Sequence, residues 1–196
     1  MSGPALPSTP DQPVLELFSL QGQTACVTGA TRGIGKGCAL ALAQAGASII
    51  LLQRDESNAQ TRDAIRALGR KAEIVIVDMA DTDRVKNVWA DVEKAAGQPV
   101  EILVHAAGIQ RRSPATDFSE QDWDDVLNVN LKSYWLLSQA AGCSMVKQSY
   151  GRIILLGSLM TFQGGVFVPA CASKVRAPLK PQMLQPRARL AISSRP

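Results

Sequence analysis

Thr28-Gly29-Ala30-Thr31-Arg32-Gly33-Ile34-Gly35 is the stretch on which the fold turns. Before it lies TACVT (24–28), a short apolar and β-branched run, and after it Gly35–Ala45 has the composition of a helix. A glycine-rich turn between a strand and a helix is where backbone N–H groups can meet a nucleotide pyrophosphate. The helix N-terminus is electropositive there, and residues without side chains let the backbone approach closely. The bland reading is a tight strand-to-helix turn and nothing more. What surrounds the turn decides between the two.

Working outward, the chain alternates short apolar runs with amphipathic segments, the rhythm of βαβ units and a parallel sheet. TACVT (24–28), SIILL (48–52), AEIVIV (72–77), EILVH (101–105) and RIILLG (152–157) are the predicted strands. Several are continuously apolar, as strands are when helices cover both faces of a sheet. Helices are predicted over Gly35–Ala45 and over Asn58–Leu68, the latter followed by Gly69 at a natural C′ position. A third should take Asp81 as N-cap, bury Val85, Val88, Trp89 and Val92 on one face and stop at Gly97. The longest should open at Ser119 with Asp122 in a capping-box pattern. It then sets Trp123, Val126, Leu127, Asn130, Leu131 and Tyr134 at helical spacing, so that Asn130 shares the apolar face. The expected fold class is α/β, a Rossmann-like doubly wound parallel sheet.

The ends differ from this body. Residues 1–13 carry Pro4, Pro7, Pro10 and Pro13, which predicts a flexible leader. Residues 14–174 form the predicted domain, and 175–196 a basic tail rich in Pro and Arg that is expected to be disordered. The formal net charge of +4 belongs to that tail. Val175–Pro196 holds five basic residues and no acid, leaving sixteen basic against seventeen acidic residues before it. Five unclustered charges make a poor footprint for nucleic acid, and no nucleic-acid partner is expected. No apolar run approaches the roughly 20 residues of a membrane span. The N-terminus also lacks the basic and apolar regions of a secretory signal, and a cytoplasmic protein is expected. The four cysteines have no CxxC spacing and His105 is the sole histidine, so neither disulfides nor a metal site are expected.

TGATRGIG, with its Gly-x3-Gly-x-Gly spacing, resembles the signature of the short-chain dehydrogenase/reductase family, whose members bind NAD or NADP on a Rossmann-like sheet. Further segments match in order. Asp78 in VDMAD resembles the aspartate that supports the adenine ring, and His105-Ala106-Ala107-Gly108 resembles the family's NNAG segment. Both asparagines of that segment are replaced, which weakens one stabilising element. Asn130 in NVNL resembles the catalytic-site asparagine, Ser158 in LLGSLMTFQGG the catalytic serine, and Lys174 in Ala172-Ser173-Lys174 the lysine of a Tyr-x3-Lys motif. The resemblance covers about Leu17–Lys174. It implies dinucleotide contacts at Gly29, Thr31, Arg32, Gly33, Ile34, Gly35, Arg54, Asp78, Ala107, Gly108 and Lys174, and catalytic roles for Ser158, Lys174 and Asn130. Within the family, AGIQRRSPATDFSEQDWDDVLNVNLKS and SLMTFQGGVFVPA are similar to sugar-acid dehydrogenases of the 2-deoxy-gluconate 3-dehydrogenase and gluconate 5-dehydrogenase type. A sugar acid is thus the expected substrate and a homo-oligomer is possible.

Cofactor choice turns on the residue that meets the adenosine ribose after the second strand, where an acid suits NAD and an arginine the 2′-phosphate of NADP. Gln53 stands where an acid would, and Arg54 and Arg32 offer guanidinium groups, which favours NADP. If Asp55 takes the acid's part instead, NAD is the alternative. The catalytic motif itself is broken. Ala170 lies four residues before Lys174, and Cys171 stands at the usual distance after Ser158. An ordinary thiol titrates near pH 8.5, but the sulfur of a cysteine at 171 reaches less far from the backbone than a phenol oxygen, which makes Cys171 a poor stand-in. Of the two tyrosines, Tyr134 lies one turn after Asn130, and Tyr150 precedes the fifth strand at the far end of the sheet. Pro178, Pro181 and Pro186 oppose the family's next helix, and its last strands are expected to be missing. This implies a changed reading frame, a splice choice or a sequence error. Impaired turnover, or a non-catalytic dinucleotide-binding module, is the expectation that follows.

Overall fold

β1 (Thr24–Thr28), buried along its whole length, is the central strand of a five-stranded parallel sheet. The computed structural model describes residues 13–158 and 167–168. β2 (Ser48–Gln53) pairs with β1 on one side and β3 (Ala72–Ile76) lies beyond it. On the other side of β1 comes β4 (Ile102–His105), paired in register so that Thr28 faces His105. A fifth parallel strand, Arg152–Leu155, runs beside β4. Between β4 and that strand, β5 (Ser113–Pro114) pairs antiparallel with Phe167–Val168, a two-residue ladder apart from the main sheet. In chain order Arg152–Leu155 is β6 and Phe167–Val168 is β7. The five expected strands are thus present, with ends displaced by up to two residues.

Alternation along the strands fills two cores, because successive side chains point to opposite faces. Ala25, Val27, Ile49, Leu51, Ile102 and Val104 pack against α1 (Gly33–Gln44) and α2 (Gln60–Ala67) through Ala39, Ala43 and Ile65. Cys26, Ile50, Leu52 and Leu103 face α3 (Thr82–Ala96) and α5 (Ser133–Lys147), meeting Val88, Val92, Leu137 and Ala141. Coverage on both faces is why these strands read as unbroken apolar runs. Burying one such side chain contributes about 1.5–3 kcal/mol. β6 is less well covered, with Ile154 on its exposed side.

Local signals explain the helix ends. Asp81 caps α3 by accepting from the Arg84 N–H at 2.9 Å, and the helix stops at Gly97 with φ +64°. Ser119 Oγ accepts from the Asp122 N–H at 3.1 Å and opens α4 (Glu120–Leu127). Two boundaries differ from the sequence reading. α1 starts at Gly33, so the last three residues of the glycine stretch form its first turn, and α2 begins at Gln60. The expected single long helix is also interrupted. α4 and α5 are joined by a π-helical segment, Asn128–Lys132, in which the Ser133 N–H reaches back to the Asn128 carbonyl. The leader, apart from Pro13, and the tail lie outside the described residues, as do Ala170, Cys171 and Lys174.

Candidate functional site

The strand order β3-β2-β1-β4-β6 reverses direction between β1 and β4. In an open α/β sheet the crevice at that reversal, at the carboxyl ends of the strands, is where ligands bind. The glycine turn follows β1 and the Ala106–Ile109 loop follows β4, and the two loops touch. Gly29 (φ +66°) lies so close to the second loop that a Cβ there would come within 2.7 Å of the Ala107 backbone nitrogen and Cα. Gly33 (φ +56°) is the opposite case, since a Cβ there would meet nothing within 4 Å. At Gly35 a Cβ would run into the Gly29 carbonyl, so α1 docks on the turn through a bare Cα. Arg32, the residue that caps α1, is extended and makes no side-chain capping bond. This leaves first-turn N–H groups without a side-chain partner at Arg32, the arrangement that accepts an anion. Thr31 is half-buried, Ile34 and Arg32 are exposed, and the Thr61 hydroxyl fixes the turn from α2 by donating to the Ala30 carbonyl at 2.7 Å.

Gln53, the last residue of β2, is buried, and its amide donates to the carbonyls of Asp55 (2.6 Å) and Asn58 (3.1 Å), tying down the loop. Asp55 is occupied as well. It accepts from the Ser57 hydroxyl and, at 2.9 Å, from the Ser57 N–H. These bonds, helped by Arg54, hold its carboxyl below the usual range. Arg54 is exposed beside them. Asp78 is exposed beyond β3 and accepts from the Ala80 N–H at 2.9 Å.

The loop after β4 is fastened from three directions. Thr28 Oγ1 accepts from the N–H groups of Ala106 (3.1 Å) and Ala107 (2.9 Å). Tyr134 donates to the Ala107 carbonyl at 3.0 Å. Asn130, buried in the π segment, pairs with Ile109 in both directions at 2.8 Å, its Oδ1 accepting from the N–H and its Nδ2 donating to the carbonyl. Gly108 passes against that amide; a Cβ there would sit 3.2 Å from Asn130 Oδ1. With alanines in place of both asparagines, the HAAG loop is held by Thr28, Tyr134 and Asn130. His105 is fully buried between Thr28 and Ser133 and stacks on Tyr134, ring centroids 3.7 Å apart. Sequence reasoning missed His105 and Tyr134 as a pair. The available signal was a lone histidine ending a predicted strand, together with a tyrosine one turn past Asn130 on the apolar face of a predicted helix.

Tyr134 is no substitute acid/base. Burial pushes its hydroxyl up to about 12, and its proton is committed to a backbone carbonyl. Tyr150 precedes β6 at the opposite end of the sheet, under the Arg152 guanidinium. Ser158 is half-buried, three residues past β6, at the same end of the sheet as the two loops. The β5–β7 ladder brings the chain that follows Ser158 against the loop that follows β4. Among the described residues no cluster of three His, Cys, Asp or Glu side chains is placed to hold a metal, and no helix is long and apolar enough to cross a membrane.

Residues 23–177 match the family model of the short chain dehydrogenases. The chain is 42% identical to 2-dehydro-3-deoxy-D-gluconate 5-dehydrogenase of Bacillus subtilis over 162 residues, covering 83% of this chain and 63% of that protein. It is 39% identical to gluconate 5-dehydrogenase of Gluconobacter oxydans over 147 residues, 74% of this chain and 57% of that protein. Among solved structures it resembles an assigned NAD(P)-dependent gluconate 5-dehydrogenase from Beutenbergia cavernae with bound NADP. There the TM-score is 0.75 and the identity 40%, with 80% of this chain and 63% of the other covered. An assigned 2-deoxy-D-gluconate 3-dehydrogenase from Agrobacterium tumefaciens with bound NADP gives a TM-score of 0.72 at 38% identity, with 80% and 62% covered. The chain spans less than two thirds of the length of these relatives.

Proposed function

Because the chain belongs to the short-chain dehydrogenase/reductase family, we propose that it is a cytoplasmic NADP(H)-binding domain of the sugar-acid dehydrogenase type, with turnover impaired. One observation carries the binding half. The glycine turn is docked on the loop after β4 at the point where the sheet reverses, with Gly33 open and α1 starting behind it. That cradle fits a pyrophosphate, and the exposed Arg54 and Arg32, beside an Asp55 already engaged by Ser57, favour a 2′-phosphate over a 2′-hydroxyl. Thr31, Ile34 and Gly35 line the same turn, Asp78 serves the adenine, and Ala107 and Gly108 flank the nicotinamide half. NAD is the lesser alternative.

When bound, the dinucleotide supplies or accepts a hydride. In this reading Ser158 polarises the substrate oxygen, Asn130 holds the segment beside it and Lys174 holds the nicotinamide ribose. The proton-transfer group is what the chain lacks. Ala170 stands four residues before Lys174, and Tyr134 is committed elsewhere. This favours a second outcome, dinucleotide binding without turnover. Titration of purified protein with NADPH and NADH, followed in the same cuvette by an absorbance assay on a panel of sugar acids, tests both. Saturable NADPH binding is expected, with oxidation at background. Absence of saturable binding to either dinucleotide refutes the reading.

A further inference from the structure

The protons of the buried chain around His105 can be placed by counting donors and acceptors. Thr28 Oγ1 has two lone pairs, and the Ala106 and Ala107 N–H groups use both. Its hydroxyl hydrogen must therefore point at His105 Nδ1, 3.0 Å away, which makes Nδ1 an acceptor. From the other side, Ser133 Oγ lies 2.6 Å from the Val129 carbonyl, which can only accept, so the serine hydrogen goes there. Ser133 Oγ then accepts from His105 Nε2, 3.2 Å away. Two independent ends of the chain require the same tautomer, with hydrogen on Nε2 and none on Nδ1.

This chain joins two parts of the site. One end fixes the backbone amides of the loop after β4. The other ends on the carbonyl of Val129, inside the π segment and next to Asn130, whose amide holds Ile109 of the same loop. We propose that His105, fixed as the Nε2–H tautomer, is a positioning residue that couples the dinucleotide loop to the Asn130 segment. Tyr134 supports it by stacking on the ring while holding the Ala107 carbonyl. The inference rests on the reading that this crevice binds a dinucleotide.

Its test uses the full chain, in which His105 is the only histidine and gives an unambiguous ¹⁵N signal. In long-range ¹H–¹⁵N spectra of the wild type near neutral pH, one bare Nδ1 and one protonated Nε2 are expected. NADPH should shift both ring nitrogens together with the Asn130 side-chain amide. Two variants separate the arms. His105→Asn keeps an acceptor within reach of Thr28 but loses Ser133; NADPH affinity should stay within about threefold while the Asn130 amide stops responding. His105→Gln keeps a donor for Ser133 but strands the Thr28 hydroxyl, and affinity should fall about tenfold or more, the scale of one stranded buried donor. An Nδ1–H tautomer, an Asn130 signal indifferent to NADPH, or unchanged affinity in His105→Gln overturns the coupling. If either variant does not fold, the wild-type spectra alone decide. Wild-type protein that shows the stated tautomer yet binds no NADPH refutes the dinucleotide reading and the coupling with it. Binding with the wrong tautomer refutes the coupling alone.

Discussion

Replacing Gly29 and Gly33 in turn by alanine should separate folding from binding at the glycine turn. Both have positive φ, which costs a residue with a Cβ about 1–2 kcal/mol. At Gly33 that is the whole effect on the fold, since the methyl group meets nothing within 4 Å. At Gly29 the methyl group would lie 2.7 Å from the Ala107 Cα and nitrogen, and both obstacles are backbone. Ala107 cannot retreat without breaking the bond from its N–H to Thr28 or the one from Tyr134 to its carbonyl. A buried group stranded in that way adds about 1–3 kcal/mol. For a domain of this size 1 kcal/mol corresponds to about 2–4 °C in Tm. Gly33→Ala should therefore melt a few degrees below wild type, and Gly29→Ala on the order of 10 °C below. Binding should reverse the order of the two among molecules still folded: Gly33→Ala places a methyl group where the pyrophosphate must approach and should lose about tenfold or more in NADPH affinity, or about 1.4 kcal/mol. Differential scanning fluorimetry and NADPH titration measure the two quantities. Equal melting temperatures would refute the Gly29–Ala107 contact, and wild-type affinity in Gly33→Ala would remove Gly33 from the dinucleotide site.

Arg54→Asp should lower NADPH affinity about tenfold and raise the relative affinity for NADH; an unchanged ratio would show that Arg54 only faces solvent. Tyr134 gives an alkaline signature. Its hydroxyl titrates near 10 when unfolded and near 12 when folded, so the folded state holds the proton longer and loses stability as pH rises through that window. Tyr134→Phe should abolish this component of the stability-versus-pH curve. The Cys26 thiol, pushed far up by complete burial, should resist alkylation in the native state while the exposed Cys143 reacts, as peptide mass mapping would show. Changing Ala170 to Tyr, which places a phenol four residues before Lys174, should raise sugar-acid oxidation little above background. A recovery approaching the 10²- to 10⁴-fold typical of a restored acid/base would argue that the site is otherwise complete.

The strands were readable because their burial is two-sided: β1 needs no knowledge of its partners to look like a central parallel strand. Asp81, Gly97 and Ser119 marked helix ends because capping is local chemistry. The π segment was not readable. Val126, Asn130 and Tyr134 fall on one face at ordinary helical spacing, and one extra residue in a turn hardly disturbs so short a pattern. The bonds of Gln53 were not readable either, because its carboxamide folds back on carbonyls two and five residues ahead. The His105 chain joins residues 28, 105 and 133, which no local window contains.

The pairing of β1 with both β2 and β4 also sets an order of assembly. β1, the glycine turn, α1 and β2 form one contiguous stretch, whereas Thr28 meets His105 across a separation of 77 residues. Closing that span costs loop entropy before any contact rewards it. The turn should thus take shape early and its contact with Ala107 late, after the folding transition state. A ligand that needs both loops then finds its site only on the native side of the barrier. NADPH should slow unfolding while leaving the refolding rate unchanged.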